Sequence, residues 1–179
     1  VINLNGLDLE NVDIQIESTA ASSEALIDLS HVSGSINELN LLSDGSGARS
    51  SLNLEVATLS INNLNLNADN ASEISLDLTG ETITINDTIS LEAHNSADVS
   101  LVANIDGSDF SKISIEASNY GYVGAHLLGD ISVENIYINA ESEAFVNISI
   151  DQINLTGNLE LYASGSDVSG DYSISSLDF

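Results

Sequence analysis

Aliphatic residues return every 23–25 positions along this 179-residue chain, and that return predicts an all-β fold wound as a parallel β-helix. Two further observations point the same way. Within each copy, apolar and polar residues alternate with period 2, as a strand with one buried face requires. The composition is poor in aromatics (4%) and lacks Pro, Cys, Met and Trp, which suits a narrow interior of Ile, Leu, Val and Ala. The expected architecture is a β-solenoid of about seven turns with three short strands per turn. Right-handed winding follows from the crossover rule.

The first run of each turn sets the register. Its leading residues are Ile14, Leu39, Leu64, Ile89, Ile113, Ile136 and Leu159. Two positions on stand Ile16, Leu41, Leu66, Leu91, Ile115, Ile138 and Leu161. Four positions on, the residue is always small: Ser18, Ser43, Ala68, Ala93, Ala117, Ala140 and Ala163. Each copy therefore points two large aliphatics and one small residue inward, the small one where the chain must turn. Turn formers follow, as in Asp44-Gly45-Ser46-Gly47 and Asp69-Asn70-Ala71-Ser72.

A second alternating run comes next, as in Ile27-Asp28-Leu29, Leu52-Asn53-Leu54 and Val146-Asn147-Ile148. A shorter third run closes several copies, as in Leu59-Ser60-Ile61 and Ile83-Thr84-Ile85. The segment Tyr120 to Leu128 alternates poorly, and a bulge or wider loop is expected there. Stacking at roughly 4.8 Å per turn gives a prism on the order of 34 Å tall. Ile2-Asn3-Leu4-Asn5-Gly6 reads as the close of a turn, like Ile153-Asn154-Leu155-Thr156-Gly157. Leu177-Asp178-Phe179 reads as the end of a third run. The chain is expected to be a single solenoid domain over residues 1–179 and, beginning at Val1 without a leader, a fragment of a longer protein. An uncapped solenoid exposes unpaired backbone groups at its ends, so self-association, end-to-end or lateral, is expected.

Charge narrows the function. The chain carries 28 acidic residues against one Lys and one Arg, a net charge of −26. Such a surface repels nucleic acid and anionic membranes. No apolar run reaches the length of a membrane span, so no membrane insertion is expected. It attracts cations, although a halophile's solvated surface or plain solubility would use the same composition. Without cysteine there is no disulfide and no thiolate chemistry.

Stacked turns make columns matter more than linear motifs. Asn70, Asn95 and Asn119 share one column, and asparagine tolerates the left-handed turn conformation. The column resembles the asparagine ladder at the turns of pectate-lyase-like right-handed β-helices, a likeness that concerns fold alone. Glu17, Glu92 and Glu116 form an acidic column. Neighbouring like charges about 5 Å apart oppose folding by only roughly 0.8 kcal/mol in water, so no cation is demanded there. His31, His94 and His126 fall in different turns without metal-ligand spacing.

The candidate cation ligands are Asp44, Asp106, Asp109 and Asp167, each within two residues of a glycine in a tight turn rich in oxygen donors. Here the chain resembles the acidic, Cys-free RTX-type and S-layer proteins of bacterial surfaces in composition, solenoid period and Gly-Asp turns. The glycine-rich nonapeptide of those proteins is not intact. The resemblance implies Ca2+ at one or a few sites and an extracellular, cell-surface location. It also implies a structural or adhesive role, S-layer-like or adhesin-like, in a secreted protein.

Two other readings are carried. An ice- or glycan-binding solenoid would use threonine columns or exposed aromatics. Thr82-Ile83-Thr84 is an isolated pair, and Tyr120, Tyr122, Tyr137 and Tyr162 are the available rings, with Tyr120 and Tyr122 the favoured patch. A β-helix polysaccharide-active enzyme would need basic residues for a polyuronate, and Lys112 and Arg49 do not supply them. Paired carboxylates carry no information in so acidic a chain. No catalytic constellation stands out, so the chain is read as a non-enzyme.

Overall fold

A computed structural model describes residues 2–165 and the backbone of 169–178. The chain is all-β, a parallel β-solenoid of about seven stacked turns, with no helix among the described residues. Its strands are β1 Ile2–Asn5, β2 Asp8–Ser18, β3 Glu24–Asp44, β4 Arg49–Asp69, β5 Glu73–His94 and β6 Asp98–Asn104. They continue as β7 Asp109–Ser118, β8 Tyr122–Glu141, β9 Phe145–Leu155, β10 Leu159–Ser164 and β11 Ser169–Asp178. Every strand pair is parallel.

The repeat register is the pairing register. Ile14 pairs with Leu39, Leu39 with Leu64, Leu64 with Ile89, Ile89 with Ile113, Ile113 with Ile136, and Ile136 with Leu159. Period-2 alternation turns this register into one continuous core running from Ile16 to Leu155. Leu39, Leu64, Ile89 and Ile113 are fully enclosed. Each such side chain contributes roughly 1.5–3 kcal/mol by leaving water.

The three runs of a turn are present, but hydrogen bonding continues round two of the three corners. Thus β3, β4 and β5 each carry a second run, a third run and the first run of the next turn. Only the glycine- and asparagine-rich corner breaks the strand in every turn. There, paired left-handed residues reverse the chain: Asn70 and Ala71, Asn95 and Ser96, Asn119 and Tyr120, Ser142 and Glu143. In β3, β4 and β5 the other two corners are bends marked by register shifts, for example between Leu29 and Val32 and between Ile61 and Asn63, whereas β6 and β7 are separated by a turn over residues 105–108.

Two expectations are corrected. Ile2 and Leu4 pair with Ile27 and Leu29, so the N-terminal segment is a second run rather than the close of a turn. The segment Tyr122 to Leu128 is a regular strand against Asp98–Asn104, with no bulge in that pairing. Its irregularity is confined to the following corner, where the register slips between Leu127 and Asp130 and Gly129 has φ of 100°.

Candidate functional site

Asparagine amides tie the turns together on the outside. Asn70 Nδ2 donates to Asp44 Oδ1 at 2.7 Å, Asn95 Nδ2 to Asp69 Oδ1 at 2.7 Å, and Asn119 Nδ2 to Asn95 Oδ1 at 3.1 Å. Asp44 and Asp69 are acceptor-only feet of this ladder. A second ladder, not singled out from the sequence, runs along another corner. Asn37 Nδ2 donates to Asp13 Oδ1 at 3.0 Å, Asn62 to Asn37 at 3.3 Å, and Asn86 to Asn62 at 3.0 Å. Its signal was available in the spacing of Asn37, Asn62 and Asn86, one repeat apart.

The candidate cation ligands separate. Asp44 lies at the corner that breaks the strands, where it accepts the Asn70 amide. Asp106 and Asp109 share a different corner. Asp106 Oδ1 accepts the N–H of Asp130 at 2.8 Å, and the Gly107 N–H donates to the Asp130 carbonyl at 2.8 Å. Asp109 opens β7 opposite Ser132. Asp167 lies outside the described residues. The structure adds Asp130, one repeat after Asp106, which sequence reasoning missed. A groove of about 190 Å³ here is lined by Asp109, Asp130, Ser132, Gln152 and Asn154. Among the described residues, no group of three or more His, Asp or Glu side chains is arranged to hold a metal ion.

The other singled-out groups are spread around the prism. Glu92 and Glu116 are paired neighbours, and Glu92 accepts the Asn67 amide at 2.8 Å. His94 bonds Ser118 Oγ through Nδ1 at 2.8 Å, and its Nε2 is 3.9 Å from Glu92. His31 sits at a bend with φ of 54°, and His126 is exposed on β8. Arg49 Nε is 3.1 Å from Glu73, while Lys112 Nζ lies 5.5 Å from the centre of the Tyr137 ring. Thr82 is paired with Thr58 and Thr84 with Ser60, and Ser33 continues the Thr58 column.

Tyr120 and Tyr122, the patch expected from the sequence, have different partners. Tyr120 stands at a turn tip, where its hydroxyl donates to Glu143 and is thereby held above the usual tyrosine range. Tyr122 begins β8 and stacks on Phe145 of the next turn, with ring centroids 5.4 Å apart and planes 4° from parallel. Tyr137 and Tyr162 meet on another face, 5.9 Å apart and tilted by 46°. Tyr137 is held above its usual range, first by desolvation and then by surrounding charge that includes Glu116, Glu141 and Glu160.

No helix among the described residues is long and apolar enough to cross a membrane. Compared with protein-family models, curated proteins and solved structures, the chain matches none. The class of protein defined here is therefore the fold itself: a parallel β-solenoid built from an aliphatic 23–25-residue repeat.

Proposed function

We propose that this chain is a rigid structural or adhesive segment of a secreted cell-surface protein, S-layer-like or adhesin-like, whose folding or assembly is assisted by calcium. The reading is supported chiefly by the unbroken in-register column from Ile14 to Leu159, which makes the molecule a rod rather than a cavity-bearing globule. Two asparagine ladders reinforce the rod along its outside. A rod positions whatever its faces bind at fixed spacing. That suits assembly and adhesion better than enclosure of a substrate, and the role is non-enzymatic.

Calcium has its best place in the groove lined by Asp109 and Asp130, which supplies two carboxylates. Both carboxylates line it together with the amide and hydroxyl oxygens of Ser132, Gln152 and Asn154, and calcium takes six to eight such oxygens. Asp44 and Asp106 are less available, because the Asn70 amide occupies Oδ1 of the first and the Asp130 N–H occupies Oδ1 of the second. The partner in assembly would be a second copy, joined end to end or side by side.

Melting and sedimentation with and without millimolar calcium test this. Calcium should raise the melting temperature, chelator should reverse the rise, and Asp109→Asn with Asp130→Asn should abolish it. Sedimentation should show assembly that depends on calcium. A melting temperature indifferent to calcium would leave the acidic surface to solubility alone. A monomer at all concentrations would remove the assembly role.

A further inference from the structure

One groove on the surface differs in chemistry from the rest. It lies on the outward face of β6, β8 and β9, where the column Ser51, Ser75, Ser100 continues as Gly124 and then Asn147. Gly124 removes one side chain from an otherwise filled row and leaves a dent of about 280 Å³. The Tyr122 ring leans over it, since a Cβ on Gly124 would lie 3.1 Å from both Cε1 and the hydroxyl oxygen of Tyr122. Phe145, stacked on Tyr122 from the next turn, braces that ring. Around the remaining rim stand Ser100, Val102, His126, Asn147 and Ser149.

No carboxylate lines this dent, in a chain that carries 28 acidic residues. Other grooves carry them: Asp109 and Asp130 in one, Glu55 and Glu81 in another, Glu160 in a third. A divalent cation therefore has no ligand charge here. An anion meets neither Lys nor Arg and approaches a molecule of net charge −26. What the rim offers is an aromatic ring, a half-exposed aliphatic and neutral hydrogen-bonding groups. An amide, two hydroxyls and an imidazole can each donate and accept. The C–H face of a pyranose matches the ring and its hydroxyls match the rim. The volume is just under the ~300 Å³ at which enclosed ligand sites begin, so one ring fits and the remainder of an oligosaccharide would stay in solvent.

We propose that the Gly124 dent is a binding subsite for one ring of a neutral saccharide, with Tyr122 as its apolar wall and Ser100, His126, Asn147 and Ser149 as its hydrogen-bonding rim. This rests on the adhesive part of the reading above and is independent of calcium and self-assembly. The site gives that adhesion a ligand class and a location.

Maltohexaose, cellohexaose and mannohexaose serve as probes, read by saturation-transfer NMR and by titration of backbone amide shifts. At least one should bind at millimolar concentration or below, with shifts centred on residues 100, 122–126 and 147–149. Gly124→Ser restores the serine borne by three earlier turns and sets its side chain against the Tyr122 ring, which must give way and narrow the dent. That variant and Tyr122→Ser should each weaken binding by about tenfold or more, while Tyr162→Ser on another face leaves it unchanged. Should Gly124→Ser melt below the wild type, Asn147→Ala and Ser149→Ala make the same test from the exposed rim. Failure of all three sugars to bind overturns the proposal, as does binding at full strength in Gly124→Ser. A dimer that forms without sugar and is lost in Gly124→Ser would also overturn it, by making the dent a contact between copies. None of these results bears on calcium-dependent melting, so the two readings fail separately.

Discussion

Ser43 stands in an inward column that becomes alanine in later turns, at Ala68 and Ala93. Its hydroxyl is sealed from solvent and has no hydrogen-bond partner. A buried hydroxyl without a partner opposes folding, so Ser43→Ala should stabilise the chain by about 1 kcal/mol, seen as a higher urea midpoint at unchanged slope. Asn95 presents the opposite case. It sits at φ of 53° and bonds Asp69. Asn95→Ala loses that bond and the one accepted from Asn119 and strains the backbone, lowering stability by about 1–2 kcal/mol, whereas Asn95→Gly loses the two bonds without the strain and should fall less.

Asp98 belongs to an exposed column with Glu24, Arg49 and Glu73. Partial burial first, and the Glu73 charge second, hold its carboxyl above the usual carboxylate range. The unfolded chain has no such shift, so ionised Asp98 opposes folding above its folded pKa. That opposition disappears below the unfolded value. Asp98→Asn should therefore raise the melting temperature at pH 7, with the gain shrinking as pH falls through the folded pKa. Because the group is mostly exposed and screened, the effect is about 0.5 kcal/mol or less.

At the scale of the strand, position in the stack decides what a side chain contributes. Leu66 and Leu161 occupy the same inward column, yet Leu66 is 1% exposed and Leu161 is 52% exposed. Leu66→Ala should cost about 2–5 kcal/mol and Leu161→Ala under about 1 kcal/mol, measured by chemical denaturation. The corners are governed by backbone approach. Gly34 has φ of 109°, and a Cβ there would run into the Leu9 carbonyl oxygen. Gly34→Ala should destabilise the first turns by about 2–4 kcal/mol, with the loss of amide exchange protection greatest in β2 and β3.

Across the whole molecule, 28 acidic residues are offset by two basic ones, and the described core is aliphatic apart from a few buried serines. Much of this repulsion acts over distances that salt screens, since the screening length falls from about 10 Å at 0.1 M to about 3 Å at 1 M. Raising sodium chloride over that range should raise the melting temperature. Calcium should do so at far lower concentration if the Asp109 and Asp130 corner binds it. Comparing the two ions at equal ionic strength separates general screening from a site.

The winding was legible in the sequence because a period of two places side chains on faces and a period near 24 stacks the turns. Those periods alone fix which of Ile14, Leu39 and Leu64 meet. The asparagine turns were legible for a related reason: asparagine accepts left-handed backbone more readily than most residues, and it opens the corner at positions 70, 95 and 119. What the tertiary structure alone decided was the company each outward residue keeps. Tyr122 was grouped in expectation with Tyr120, but Tyr120 lies in the left-handed turn before β8 while Tyr122 opens the strand, where residues one turn apart stack at strand spacing. Its partner is thus Phe145. Asp130 joined Asp106 and Asp109 for the same reason, and Gly124 became a dent because its neighbours above and below carry side chains. Linear order encodes the axis of this molecule. Its surface sites arise between turns, from pairs of residues that the sequence keeps more than twenty positions apart.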